Sequence, residues 1–280
     1  MGAFKCGTTS LHHYLMQHPE IQMATMKETN FFSGPPNGVP YPPGAKRIER
    51  LDEYERLFDP AFRVRGETSP NYTAFPLRHG TPERIKQTIP DVRLIYLVRD
   101  PVARTVSHFH QRVSAAGEHR SLADALGDLG DPESPYIWPS YYALQLEQYL
   151  QCFEQDQIMI VDQSDLLSNR QATLRDIFAF LSVDDSVVSK SFHEEINTGA
   201  ERRTYTKFIL LIRWAQATPL QRLPRGLRVT LRDWYERVVS RPLASPILDD
   251  GLRLRLQELY ADDTARLREI TGKAFPAWSV

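Results

Sequence analysis

The sequence predicts an α/β fold, with a mainly parallel central sheet flanked by helices. Three observations lead there. Residues 92–98, apolar apart from Arg93, and 158–161 are short apolar runs, the pattern of strands buried on both faces of a parallel sheet. Stretches with apolar residues at helical spacing alternate with these runs, as in chains built from strand–helix units. Two segments suited to holding anions, residues 2–10 and 99–107, both fall where a strand should lead into a helix, the place where such sheets bind ligands.

The elements follow in order. Leu11, Tyr14, Leu15 and His18 fall at helical spacing, so residues 9–17 read as a helix stopped before Pro19. Ile21 and Met23 mark a short strand. Residues 33–45 are dense in Pro and Gly and form a surface loop. Residues 51–58 read as a short helix, 64–67 as a strand ended by Ser69-Pro70, and 81–89 as a helix. The strand at 92–98 leads through Arg99-Asp100-Pro101 into a helix over about 102–115. Tyr142, Leu146, Tyr149, Leu150 and Phe153 line one helix face, and the strand at 158–161 follows. Leu174, Ile177, Phe178 and Leu181 mark another helix, and Leu252, Leu256, Leu259, Leu267 and Ile270 a long final one.

At 280 residues the chain is expected to be a single domain over 1–280. Charge is balanced, with 34 Lys plus Arg against 35 Asp plus Glu, so net charge points to no polyanionic partner. The two cysteines, Cys6 and Cys152, make no disulfide framework and fit a reducing compartment. No apolar run approaches the ~20 residues of a membrane span, and no basic stretch leads into an apolar segment at the start. A cytoplasmic chain is the expectation. Residues 202–241 hold ten Lys or Arg and only Asp233 and Glu236 as acids, around the apolar run 208–212. Residues 202–246 are therefore expected to be a basic helical insertion. Its arginines are either solvated, the favoured reading, or they touch an anionic membrane, lipid acceptor or glycan. Nucleic acid is not expected, because no recognition motif accompanies the patch.

The loop Gly2-Ala3-Phe4-Lys5-Cys6-Gly7-Thr8-Thr9-Ser10 carries the strongest signal. Gly2 and Gly7 have the spacing of a phosphate-binding Walker loop, but Thr8 stands where that loop has Lys, and the cation has moved to Lys5. The physics survives. Gly7 permits close backbone approach, the first helix turn offers unpaired N–H groups with a favourable dipole, and Thr8, Thr9 and Ser10 add hydroxyls. Cys6 reads most simply as a small filler; a second reading lets Lys5 and the loop amides depress its pKa and make it reactive. A helix cap rich in Ser and Thr is the plainer alternative for the whole segment. Such a loop ordinarily follows a buried strand, and that first strand is expected to be missing ahead of residue 2.

Arg99-Asp100-Pro101 with Ser107 forms the second candidate anion site. Arg99 can clamp a phosphate bidentately, and Ser107 lies two turns into the helix, within reach of the same group. A salt-bridged helix start explains these residues equally well taken alone. The strand at 92–98 ends in Arg99 rather than in a lone carboxylate, so the Mg²⁺ ligands of a triphosphatase are not evident and no metal is expected.

Together these segments resemble the sulfotransferase superfamily. Lys5-x-Gly7-Thr8-Thr9-Ser10-Leu11 matches its loop for the 5′-phosphosulfate, and Arg99-Asp100-Pro101 with Ser107 matches its 3′-phosphate site. Lys27-Glu28-Thr29-Asn30-Phe31-Phe32 and Gly66-Glu67-Thr68-Ser69-Pro70-Asn71-Tyr72 are similar to segments of the heparan sulfate and bacterial carbohydrate sulfotransferases, as is the stretch 252–278. Thr68 departs from the pattern, which has Lys there.

The resemblance implies a P-loop sulfotransferase fold, resembling that of nucleoside triphosphate hydrolases. It implies 3′-phosphoadenylyl sulfate as cosubstrate, adenosine 3′,5′-bisphosphate as product, and a hydroxyl or amine acceptor on a carbohydrate or glycolipid. It makes Glu28 the acceptor's base and Lys5 the group that steadies charge on the leaving phosphate. Lys5, Cys6, Gly7, Thr8, Thr9, Ser10, Arg99 and Ser107 become cofactor-binding. Glu28 paired with Lys27 on the surface is the plain alternative, as is core packing for Phe31 and Phe32. Glu28, set beside those two rings, is expected to be partly buried with a raised pKa. The histidines are given no role, and the aromatics Tyr41, Tyr72, His79, Tyr136, Trp138 and Tyr141 read more readily as packing than as a sugar platform. A kinase-like phosphotransferase and a non-catalytic bisphosphate- or partner-binding protein are the competing readings.

Overall fold

A computed structural model describes residues 1–35, 38, 48–115, 117–193, 203–204, 241–242 and 246–280. In chain order the elements are α1 (Thr8–Leu15), β1 (Ile21–Met23), α2 (Leu51–Glu55), β2 (Val64–Gly66), α3 (Thr81–Thr88), β3 (Leu94–Val98), α4 (Pro101–Ser114), α5 (Leu122–Ala125), α6 (Tyr142–Leu150), β4 (Ile158–Asp162), α7 (Gln163–Ser168), α8 (Arg170–Leu181), β5 (Arg203–Thr204), β6 (Arg241–Pro242) and α9 (Asp250–Thr271).

The two apolar runs pair as expected. β3 and β4 are parallel and in register from Leu94 opposite Ile158 to Val98 opposite Asp162. Tyr96 and Val98 are fully buried and Leu97 nearly so, which explains why this strand reads as an unbroken apolar run. β1 and β2 form a second parallel pair, from Ile21 opposite Val64 to Met23 opposite Gly66. The chain's first residues lie along β3. The Leu97 N–H donates to the Gly2 carbonyl at 2.8 Å, the Ala3 N–H donates to the Leu97 carbonyl at 2.7 Å, and the Met1 ammonium donates to the Ile95 carbonyl at 2.6 Å. Residues 1–3 thus supply a short strand-like anchor for the loop. Beyond them an apolar cavity of about 940 Å³ opens between the strand pairs, lined by Met1, Ile21, Met23, Ile95 and Leu97 among others.

The insertion assigned to helices differs at its ends. There β5 and β6 pair antiparallel, Arg203 opposite Pro242, and the residues between them lie outside those described, as do Tyr41 and most of the Pro/Gly loop.

The last helix sits differently from its leucine stripe. Its buried face is Leu252, Leu256, Tyr260, Thr264 and Leu267, while Leu259 and Ile270 are only half-buried. Tyr260 belongs inside because its hydroxyl meets Thr105 Oγ1 of α4 at 2.8 Å; a polar handle with a partner can be buried like a leucine. Past Gly272, in the left-handed conformation that closes the helix, the tail returns to the strand ends. Trp278 Nε1 donates to Asp162 Oδ2 at 3.0 Å and the Ser279 N–H donates to Asp100 Oδ2 at 2.5 Å. The carboxyl ends of both β3 and β4 are therefore fastened by the same tail. Trp278→Phe keeps the ring but leaves the buried Asp162 oxygen without this donor. Urea unfolding should show a loss of about 1–3 kcal/mol, the usual cost of an unsatisfied buried polar group.

Candidate anion-binding and acid–base site

The loop leaves the sheet at Ala3 and enters α1 through Gly7, whose φ of 91° is the left-handed conformation that favours glycine. No side chain caps this helix start, so the first-turn N–H groups face the loop as donors for an anion. Lys5 also lies in the left-handed region, at φ 73°. Arg99, leaving the end of β3, donates from Nη1 to the Lys5 carbonyl at 3.4 Å. The two segments, separated by 94 residues in sequence, therefore meet. Pro101 opens α4, and Asp100 caps it by accepting from the Ala103 N–H at 2.7 Å. Ser107 is half-buried on the same helix. Beside it the His108 ring packs on Phe4 of the loop, centroids 4.7 Å apart. Burial, then Arg104, Arg112 and Lys5, hold His108 well below the usual imidazole range. It stays neutral near neutral pH, leaving the cationic character to Lys5 and the arginines.

Cys6 fills the loop, and its reactive reading is overturned. The residue is fully buried, with Sγ 3.5 Å from the Tyr142 hydroxyl. Burial pushes the thiol up to about 11, outweighing the lowering by Tyr142, Arg104 and Arg99. What Cys6 can offer a ligand is backbone.

The segment 27–32 crosses the N-terminus of α1. Lys27 Nζ donates to Thr9 Oγ1 at 2.7 Å and pairs with Glu28 Oε1 at 3.1 Å. The Lys27–Glu28 pair is thus present, and through Lys27 it links the carboxylate to Thr9 in the first turn of α1. Glu28 and Asn30 both have left-handed backbones, at φ 60° and 52°. Two bonds impose this shape: the Glu28 N–H donates to the Thr68 carbonyl at 3.0 Å, and the Asn30 N–H to Ser69 Oγ at 3.0 Å. Non-glycine residues in this region are uncommon and gather at functional sites. The partial burial expected for Glu28 is not found: its side chain is 41% exposed. Phe31 and Phe32 turn away from it into the core, Phe31 stacking on Tyr54 at 4.6 Å.

Sequence reasoning missed three residues. Glu67 gathers the segments 27–32 and 66–72, accepting from Thr29 Oγ1 at 2.9 Å, from Ser69 Oγ at 2.7 Å and from the Tyr72 hydroxyl. Its place between β2 and Ser69-Pro70 was a usable signal. His12 meets Thr68 Oγ1 through Nδ1 at 3.0 Å, although the two are 56 residues apart. Asp162 ends β4 with a carboxylate, although β3 ends ahead of Arg99. It caps α7 through the Ser164 N–H and takes the Trp278 indole, so its oxygens serve the fold. Among the described residues no cluster of His, Cys, Asp and Glu is arranged to hold a metal ion. Of the aromatics, Tyr72 and Tyr136 are buried and bonded to Glu67 and Glu118, which is packing.

Residues 1–186, which contain every group above except the C-terminal tail, match the family model described as Sulfotransferase family. The chain belongs to the sulfotransferase family. Its relatives include the Membrane-associated sulfotransferase kil1 of Dictyostelium discoideum, 34% identical over 39% of this chain and 21% of that protein. The mouse Heparan sulfate glucosamine 3-O-sulfotransferase 3B1 is 28% identical over 69% of this chain and 47% of its own length. The human Heparan sulfate glucosamine 3-O-sulfotransferase 6 is 27% identical over 98% of this chain and 71% of its own. This sulfotransferase chain thus spans less than half the length of the first two relatives. Among solved structures, a sulfotransferase from Alicyclobacillus acidocaldarius superposes over 100% of this chain and 97% of its own, with a TM-score of 0.72 and 26% identity. The α/β fold with a phosphate-loop sheet is therefore that of the sulfotransferases, related to the heparan sulfate branch. No helix among the described residues is long and apolar enough to cross a membrane.

Proposed function

We propose that the chain transfers a sulfuryl group from 3′-phosphoadenylyl sulfate to a hydroxyl or amine of a carbohydrate acceptor. The observation that carries this reading is the meeting of three parts: the uncapped α1 start with Lys5, the Arg99 side chain at the same loop, and Glu28 linked to that helix turn through Lys27. The first two suit a nucleotide with phosphates at both ends; the third supplies a base where the acceptor must arrive.

The nucleotide supplies an activated sulfur whose leaving group is a phosphate. Glu28 takes the proton of the acceptor hydroxyl as its oxygen bonds to sulfur. The bond from sulfur to the phosphate oxygen breaks, and Lys5 with the α1 amides receives the charge on that oxygen. Arg99 and Ser107 hold the 3′-phosphate, Thr8, Thr9 and Ser10 line the 5′ side, and Cys6 and Gly7 contribute backbone there. Names of relatives that act on heparan sulfate and other carbohydrates support a glycan acceptor. The cations present let the donor be held without Mg²⁺; the arginines of the basic segment 202–241 are solvated in the favoured reading, with contact to an anionic glycan or a lipid surface as the alternative. A single domain, a cytoplasmic or membrane-peripheral location and no nucleic-acid partner complete the reading.

Thermal shift with adenosine 3′,5′-bisphosphate against ATP plus Mg²⁺ tests the class; selective stabilisation by the former is expected, and selective stabilisation by the latter returns the kinase-like alternative. Arg99→Ala should weaken binding of the 3′,5′-bisphosphate by about 1.5–3 kcal/mol, the range for a hydrogen bond to a charged group. It should barely alter binding of the nucleotide lacking the 3′-phosphate. Calorimetric titration of both nucleotides reads the difference.

A further inference from the structure

We infer that His12, acting through Thr68, is a positioning residue for the Glu28 carboxylate. The inference rests on the transfer reading above. It deepens that reading by assigning a role to a residue pair that motif matching leaves aside.

The geometry is a closed circuit. Thr68 faces two ways: its hydroxyl meets His12 Nδ1 at 3.0 Å, and its carbonyl accepts the Glu28 N–H at 3.0 Å. Glu28 Oε1 pairs with Lys27 Nζ at 3.1 Å, and Lys27 Nζ returns to Thr9 Oγ1 at 2.7 Å. Thr9 and His12 are three residues apart on α1, hence neighbours on one face. The circuit thus ties Glu28 to the helix that carries the phosphate loop at two points, Lys27 on one side and the His12–Thr68 bond on the other. Only the second point is rigid. Lys27 and Glu28 are partly solvated long side chains, whereas His12 is 8% exposed and its ring is fixed in the packed face of α1. A base must be held to within a fraction of an ångström to be productive. The left-handed backbone of Glu28 needs such an outside restraint. Thr68 fills the position where the family pattern has Lys, and here that position is spent on the contact to His12.

The groups that face His12 are Lys27, His13 and Glu28. Burial foremost, then Lys27 and His13, lower its pKa, and Glu28 opposes them. Near neutral pH the ring is therefore neutral. Protonation in acid would add a cation beside Lys27 and turn Nδ1 into an obligatory donor, altering the bond that Thr68 makes.

His12→Leu and Thr68→Val each remove one end of the bond without adding charge. Each is expected to lower kcat by roughly ten- to a hundredfold, with the KM for the nucleotide and the bisphosphate-induced thermal shift within about twofold. The double variant should fall no further than the worse single one, because both break one connection. His12→Asn, which keeps a hydrogen-bonding atom near the Nδ1 position and does not titrate, should recover most of kcat and lose any acidic inflection due to His12. Retained kcat in both single variants, or additive losses in the double, overturns the inference.

A second measurement is independent of turnover. The His12 ring-proton resonance, titrated in wild type and in Glu28→Gln, should show a lower midpoint in the variant, since an opposite charge has been removed. An unchanged midpoint means His12 does not sense Glu28, and the inference fails. Failure of the transfer reading looks different: wild type would bind neither nucleotide selectively nor transfer sulfuryl, while the titration outcome would be unaffected.

Discussion

Glu28→Gln is expected to lower kcat by roughly a hundredfold to ten-thousandfold, the usual contribution of a positioned acid–base group. Binding of adenosine 3′,5′-bisphosphate should remain as in wild type. The substitution is nearly isosteric. The Gln carbonyl oxygen can still accept from Lys27 Nζ, which lies 3.1 Å from Glu28 Oε1, and the backbone bond from residue 28 to the Thr68 carbonyl is untouched. What is lost is the ability to take a proton. The loss should therefore appear in kcat and hardly at all in nucleotide affinity. The exposed side of this carboxylate gives an acceptor room to approach, as a base requires. Single-turnover sulfuryl transfer with calorimetry on the same preparation checks both halves. Wild-type turnover in the variant would remove Glu28 as the base and leave the neighbouring carboxylate, Glu67, as the next candidate.

Lys5→Ala is the second large effect, expected at roughly a hundred- to a thousandfold in kcat, by analogy with removing one preorganised donor from a site of developing charge. Lys5 already sits at φ 73°, and Ala carries the same Cβ, so the backbone cost of that conformation is the same before and after. Arg99 donates to the carbonyl of residue 5, not to its side chain, so the link between loop and second anion site survives too. The variant should fold with near wild-type stability and lose chiefly the ammonium. Because that charge meets the nucleotide before reaction as well as during it, some affinity should be lost alongside kcat. Comparing kcat, nucleotide affinity and melting temperature separates these contributions. A kcat within about threefold of wild type would assign the charge-steadying role to the helix amides and Arg99 instead.

Much of this was legible beforehand because the signals are local. Strand positions follow from the apolar runs, α4 from Pro101 after Asp100, and the loop from Gly7 ahead of three hydroxyl residues. Where reading by pattern went astray, a long-range partner decided. Tyr260 and Thr264 displaced the leucine stripe of α9 because Thr105 waits opposite Tyr260. The second, reactive reading of Cys6 fell to burial in the packed core, which raises its thiol even against the lowering by Tyr142, 136 residues away. Glu28 lost its expected enclosure because Phe31 found Tyr54 instead.

By itself, then, the sequence determined the fold class and the family, and it marked the candidate phosphate loop and the candidate second anion site, since each depends on residue types at short fixed spacing. Only the tertiary structure decided how these parts are used. It brought Arg99 to the Lys5 carbonyl, linked Glu28 through Lys27 to the start of α1, gave Thr68 to His12, and fastened the ends of β3 and β4 with Trp278 and Ser279. These are contacts between residues tens to hundreds of positions apart. Their existence depends on how the strands pair and on which side chains burial leaves without water, and no local spacing encodes either.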